Sequence, residues 1–150
     1  MIIEELMDRD LTALTEDTSL AEAIEVLSIH RISSAPVVDL DGKVVGILSE
    51  KDIVRAALPG YFELLQDPTF IPDLGQFRFR LRRVSREAVK KYMTKKVITF
   101  TENDSDFHVA MILIKNNIKR APVVRDGALA GMINRADLLQ HLMSEGKDDA

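Results

Sequence analysis

The stretch "APVVDLDGKVVGILSEKD", Ala35–Asp52, returns later in the chain as "APVVRDGALAGMINRAD", Ala121–Asp137. Each copy places two apolar runs around an Asp-Gly pair, a pattern that predicts a β-hairpin. Each then runs Gly, two apolar residues, a small polar residue, two further positions and Asp. Ser49 and Asp52 stand at capping-box spacing, so the second strand should turn directly into a helix. A strand-to-helix junction with polar residues at its turn serves equally as a helix cap or as one wall of a ligand pocket.

Working outward, a shift of 86 residues aligns Met7–Val38 with Met93–Val124 without a gap, and ten of the 32 positions are identical. Met7/Met93, Thr15-Glu16/Thr101-Glu102, Ser19/Ser105 and Ile32/Ile118 are among them. After one deletion, Asp41-Gly42, Gly46 and Asp52 meet Asp126-Gly127, Gly131 and Asp137 at a shift of 85. The chain is a tandem duplication, the first feature to establish in any such sequence. "LTALTED" and "VITFTEND" begin as short strands. "SLAEAIEVLSIHR" reads as a helix with Ser19 and Glu22 at capping spacing and Leu20, Ala23, Ile24 and Leu27 on one face. Its partner "SDFHVAMILIKNN" is apolar all round, which predicts burial on more than one side. "EKDIVRAAL" and "RADLLQHLM" close the repeats as helices. The fold class is therefore α/β, a β-α-β-β-α unit present twice, with an insertion between the copies.

The expected boundaries are 5–58 for the first repeat, 59–91 for the insertion, 92–144 for the second repeat and 145–150 for a tail. Pro59-Gly60 stops the preceding helix, and Pro68 and Pro72 bracket "TFI". "FRFRLRRV" alternates Phe77, Phe79 and Leu81 with arginines, the pattern of a half-buried strand. Ser85 then caps a short helix, "REAVKKYM". The aromatics favour a packed element, a lid or a dimer contact.

With 150 residues, 46% of them hydrophobic and 29% charged, the chain has an ordinary globular composition. No apolar run reaches the ~18–20 residues of a membrane span, and the acidic start "MIIEELMDRD" is unlike a signal peptide, so the expected location is cytoplasmic. The absence of cysteine excludes disulfides, thiolate metal sites and cysteine nucleophiles. His30, His108 and His141 stand apart from any carboxylate cluster at metal spacing, so no metal is expected. No P-loop and no nucleophile–base motif is present, so no enzyme activity is expected. The formal charge of −4 argues mildly against nucleic acid. Residues 76–96, however, carry nine Lys or Arg and one acid, a net +8 that leaves −12 for the remainder. Such a block is a solvated face, a neutraliser of the acidic body, or a contact for an anionic partner.

The duplicated unit with its paired "APVV" and Gly-apolar-apolar-Ser/Asn-x-x-Asp frames resembles tandem CBS domains, the cystathionine-β-synthase-type pair also called a Bateman module. The likeness covers nearly everything except the insertion. It implies a stand-alone, non-enzymatic sensor that binds AMP, ADP, ATP, S-adenosylmethionine or a dinucleotide in clefts between the repeats. It also implies a homodimer, a flat disk of four repeats, and an output passed to a protein partner in trans. No catalytic cofactor is implied, and the adenine nucleotide or S-adenosylmethionine acts as a regulatory ligand.

In the first copy the resemblance marks Gly46, Ile47, Ser49 and Asp52, with Thr12, Ala13, Ser34, Ala35 and Pro36 around the base. In the second it marks Gly131, Met132, Asn134 and Asp137, with Ile98, Thr99, Arg120, Ala121 and Pro122. Asp52 and Asp137 resemble the family's ribose-binding residue; an ionised carboxylate accepts from both cis hydroxyls of a ribose. Gly46 and Gly131 would leave room against bare backbone. Asn134 departs from the family's Ser/Thr yet still caps a helix and donates a hydrogen bond. Arg120, after Lys119, replaces Ser34, and Arg135 replaces Glu50, so the second cleft should suit phosphates better. The rival readings are solvated surface charge at those positions, a structural module whose clefts bind nothing, and a nucleic-acid-binding regulator using residues 76–96.

Overall fold

The computed structural model describes residues 2–60, 66–69 and 73–145. Within these the element order is β1 (Leu14–Thr15), α1 (Leu20–His30), β2 (Ser34–Val38), β3 (Val44–Ser49), α2 (Glu50–Ala57) and α3 (Leu74–Val84). The second copy follows as β4 (Phe100–Thr101), α4 (Asp106–Lys115), β5 (Arg120–Arg125), β6 (Ala128–Asn134) and α5 (Arg135–Glu145). The expected β-α-β-β-α order is present twice. Two three-stranded sheets result, β1-β2-β3 and β4-β5-β6.

The chain divides into two compact units. One comprises Ala13–Asp39 and Val45–Lys96; the other comprises Met1–Thr12, Leu40–Val44 and Val97–Ala150. In the first unit β1 runs parallel to β2, pairing Leu14 with Val37. Its core gathers Leu14, Leu20, Ala23, Leu27, Val37, Leu48, Ile53 and Val89, so one face of α1 and one of α2 close over the sheet. Ser19 starts α1 by accepting from the Glu22 N–H at 3.1 Å. Arg31 ends it in the left-handed region, φ 54°.

In the second unit β4 runs parallel to β5, and β5 pairs antiparallel with β6, with a register shift at Val123/Val124. The β5–β6 turn has φ 53° at Asp126 and 84° at Gly127. Both central residues of a two-residue hairpin turn of this kind require positive φ, which is why Asp-Gly stands there. The core holds Ile3, Met7, Phe100, Val109, Ala110, Leu113, Val123, Ile133 and Leu138.

Two expectations fail. "FRFRLRRV" is helix, not strand: it forms most of α3, whose N-cap Asp73 accepts from the Gln76 N–H at 3.0 Å. Phe77, Leu81 and Val84 fall one turn apart and share a face. Phe77 and Leu81 line a groove with α1 and α2, and Leu81 and Val84 pack against the core. Phe79, the residue that made the alternation look strand-like, is 66% exposed. Nor does "REAVKKYM" form an α-helix; it contains only the 3-10 turn Val89–Lys91. Ser85 ends α3 instead, donating its hydroxyl to the Arg82 carbonyl at 2.6 Å. Of the bracketed "TFI", Phe70 and Ile71 lie outside the described residues, as does Pro72.

The all-round apolar helix is a third difference. α4 buries Val109, Ala110 and Leu113. Phe107, Met111 and Ile114 are 63%, 44% and 45% exposed, so among the described residues nothing covers a second side of α4.

Candidate functional site

Strand β3 leads into α2 through Ser49, and the expected capping box is complete. The Asp52 N–H donates to Ser49 Oγ at 3.2 Å, and the Ser49 N–H donates to Asp52 Oδ2 at 2.9 Å. The Ser49 hydroxyl lies 3.1 Å from the same oxygen. The other carboxylate oxygen, Oδ1, accepts from Thr94 Oγ1 at 3.3 Å and stands 3.8 Å from Arg55. Asp52 is 7% exposed. Both its oxygens are engaged by the protein itself, and such a cap contributes about 0.5–2 kcal/mol.

The second junction is built differently. Asn134 Oδ1 accepts from the Ala136 N–H at 2.9 Å, two residues on. Asn134 therefore does not bind the residue three along, and Asp137 is left exposed. Among the described residues Asp137 has no hydrogen-bond or ion-pair partner. Across the β5–β6 ladder, Arg120 is the register partner of Asn134. The Arg135 N–H, at the start of α5, donates to the Lys119 carbonyl at 2.8 Å. Arg120, Asn134 and the first turn of α5 are thus fixed beside one another, with Asp137 in that turn.

The two glycines face the protein's own chain. A Cβ on Gly46 would stand 2.5 Å from Met93 Sδ, and one on Gly131 would stand 2.4 Å from the Asp8 carbonyl oxygen. In each unit an incoming segment bridges the motif strand: Thr94 with Ile47 in one, Asp8 with Met132 in the other. Met93-Thr94 and Met7-Asp8 are equivalent positions of the duplication, so both glycines are explained by the same close approach. In the sequence Met7 and Met93 stand out only as a repeated identity, and nothing there marks Asp8 or Thr94 as the approaching groups.

The remaining marked residues are placed as follows. Ala35 and Ala121 are buried, and Pro36 and Pro122 are fully buried at the starts of β2 and β5. Met132 is 2% exposed, whereas Ile47 and Ser34 are half-buried. The Thr12 N–H and hydroxyl both donate to Asp10 Oδ1, at 3.0 and 2.7 Å, and Ala13 is half-buried beside β1. Ile98 packs on the core of its unit and Thr99 is exposed. Two pockets lie apart from both aspartates. One is an apolar groove of about 410 Å³ among α1, α2 and α3. The other, about 380 Å³, is polar and surrounds Glu102, Asn103 and Arg125.

Among the described residues no three His, Asp or Glu side chains gather as a metal-holding group, and no helix is long and apolar enough to cross a membrane.

Duplicated three-stranded α/β units with a polar strand-to-helix junction define the class, and comparison with known proteins gives the family. The model of the CBS domain matches residues 3–59 and 89–144. The chain belongs to the CBS domain family. It is 34% identical over 155 residues to protein MJ1426 of Methanocaldococcus jannaschii, covering 95% of this chain and 92% of that one. Among solved structures it resembles the CBS domain of a CBS domain-containing membrane protein from Sphaerobacter thermophilus. That match has a TM-score of 0.72 at 28% identity, over 93% of this chain and 86% of that one. It shares the fold of CBSX2 of Arabidopsis thaliana, solved in complex with AMP, with a TM-score of 0.71 at 20% identity over 97% and 98% of the two chains.

Proposed function

We propose that the protein is a regulatory module that binds an adenine nucleotide at the strand-to-helix junction of its second repeat and performs no chemistry of its own. The observation that carries this reading is the unequal state of the two motif aspartates. Asp52 has both carboxylate oxygens engaged, whereas Asp137, at the same place in the repeated frame, is exposed and without a partner among the described residues. Asp137 can therefore accept from the two cis hydroxyls of a ribose with no internal bond to break. The Arg120 guanidinium offers a fork matched to phosphate. The first N–H groups and positive dipole end of α5 add to the attraction for an anion. Ile98 and Thr99, leading into β4, would lie along the base.

Ser49 and Asp52 are then a structural cap, and the first junction takes no ribose unless its box opens. The AMP complex of CBSX2 makes AMP the first ligand to test. Regulation would follow from differential affinity: the ligand favours whichever conformation presents Asp137 and Arg120 together.

A thermal-shift panel of adenosine, AMP, ADP, ATP and S-adenosylmethionine tests the reading. A ligand at about 100 times its Kd stabilises by about 2.7 kcal/mol, enough to move Tm by several degrees. AMP should raise Tm more than adenosine does, and Arg120→Ala should erase that difference. No response to any of the five would contradict the proposal.

The second partner is another copy of the chain. Phe107, Met111 and Ile114 on α4 and Leu139 and Met143 on α5 form an exposed apolar surface, with Leu139 and Met143 at 46% and 70%. Their equivalents in the first repeat are Ala21, Glu25, Ser28, Val54 and Leu58, of which Ser28 and Val54 line the groove that α3 closes. A dimer joined through the α4–α5 faces would cover what the second repeat lacks a helix to cover. Sedimentation should give a dimer, and the double variant Phe107→Glu/Leu139→Glu a monomer with unchanged circular dichroism. A wild-type monomer at 50 μM, roughly the range in which weak dimers persist, would contradict it.

A further inference from the structure

Helix α3 presents a second surface, independent of the nucleotide reading. Its eleven residues, LGQFRFRLRRV, include four arginines and no acid. Phe77, Leu81 and Val84 turn inward; Arg78, Phe79, Arg80, Arg82 and Arg83 are exposed. Arg78 and Arg82 are four apart, and Phe79 has Arg82 and Arg83 at three and four residues' distance. These side chains are therefore neighbours on one outer face. Hydrogen bonds from Tyr92 and Lys91 chiefly hold the Glu87 carboxyl below its ordinary range, with a smaller contribution from the charge of Arg83. Arg78, Arg80 and Arg82 have no acidic partner among the described residues.

Stability alone does not account for this arrangement. Like charges four apart weaken a helix, and a solvated face would mix signs. The dipole favours Arg82 and Arg83 in the last turn, but not Arg78 and Arg80 in the middle. The ring of Phe79, 66% exposed, stands among these guanidinium groups.

We infer that this face of α3 binds single-stranded nucleic acid, with Arg78 and Arg82 on backbone phosphates and Phe79 stacked on a base. Guanidinium forks suit phosphate oxygens, and an aromatic face takes any base. An anionic membrane fits less well, because the apolar side of α3 is already packed and leaves little to insert. An acidic peptide would use the charges but not the ring. The chain outside residues 76–96 is acidic and repels phosphate, so the footprint is short and binding depends on low salt.

Fluorescence anisotropy with a labelled 20-nucleotide oligouridylate, from 25 to 200 mM KCl, reads the proposal. The two phosphate contacts give a slope of log K against log salt of about −1.4, at about 0.7 per phosphate on a single strand. Arg78→Gln/Arg82→Gln should flatten the slope by about 1.4. Phe79→Ala should weaken binding about tenfold and leave the slope unchanged. All three positions are exposed, so circular dichroism and Tm should stay at wild-type values. No anisotropy change at 25 mM salt overturns the proposal. So does wild-type affinity in Phe79→Ala, or equal retention by polyglutamate or phosphatidylserine vesicles.

Discussion

At the scale of single residues, the two glycines of the repeated frame make opposite demands on a substitution. A methyl group at Gly131 would meet the Asp8 backbone carbonyl, which cannot move without breaking the paired bonds between Asp8 and Met132, each 2.8 Å. At Gly46 the obstacle is Met93, whose unbranched side chain can shift. Gly131→Ala should therefore cost about 1–3 kcal/mol in urea denaturation, and Gly46→Ala clearly less. Equal losses would show that the two approaches are not governed by what stands opposite. The glycines were legible as points of close approach, but the sequence suggested a ligand as the approaching group. The group is the preceding segment of chain, and only the register of Met7 and Met93 hinted at it. Ser49 and Asp52 were legible as a cap because capping depends on spacing alone. That Asn134 would bond two residues on rather than three, freeing Asp137, depends on a side-chain choice that spacing does not encode.

Among the elements, α3 shows where pattern reading fails. Phe77, Phe79 and Leu81 match a period of two, while Phe77, Leu81 and Val84 match a helical face equally well. A short run cannot separate the two periods. Asp73 and Gln76, at capping spacing, were the local signal for helix. Phe77→Ala/Leu81→Ala should release α3 from α1 and α2 and abolish hydrogen-exchange protection in 77–84, while β5 and β6 keep theirs. Loss of protection throughout would mean that α3 is part of the core rather than a cover.

The ends of β4 and β5 are joined by a two-pronged pair. Arg125 Nε and Nη2 donate to Glu102 Oε1 and Oε2 at 2.7 and 2.8 Å. Those hydrogen bonds hold the Glu102 carboxyl below the ordinary glutamate range, against the opposing effect of burial and with help from the charges of Arg125 and Arg9. A depressed pKa in the folded state stabilises above the unfolded value and loses that contribution as pH falls through the folded one. The stability gap between wild type and Arg125→Gln should thus be full at pH 7 and close as the pH falls below the ordinary glutamate range. A gap that persists unchanged into acid would contradict the pairing.

For the molecule as a whole, duplication explains both the shared architecture and the division of roles. The β-α-β-β-α order, the hairpins and the junctions were readable because each copy reinforced the other. Their divergence was readable only as a difference in residue type: Arg120 for Ser34, Asn134 for Ser49, and Phe107, Met111 and Ile114 for Ala21, Glu25 and Ser28. In three dimensions one repeat has a junction closed by its own capping box and, apart from it, a helix laid over α1 and α2. The other has an open carboxylate beside an arginine, with an uncovered apolar face. On this reading Asp137 holds the ligand's ribose and Asp52 caps a helix. Isothermal titration of AMP into wild type, Asp52→Ala and Asp137→Ala, each with its unfolding midpoint, tests it most directly. Asp137→Ala should lose tenfold or more in AMP affinity with little change in stability. Asp52→Ala should keep its affinity and lose about 1–2 kcal/mol of stability. Undiminished AMP binding in Asp137→Ala, or its loss in Asp52→Ala alone, would reverse the roles assigned to the two carboxylates.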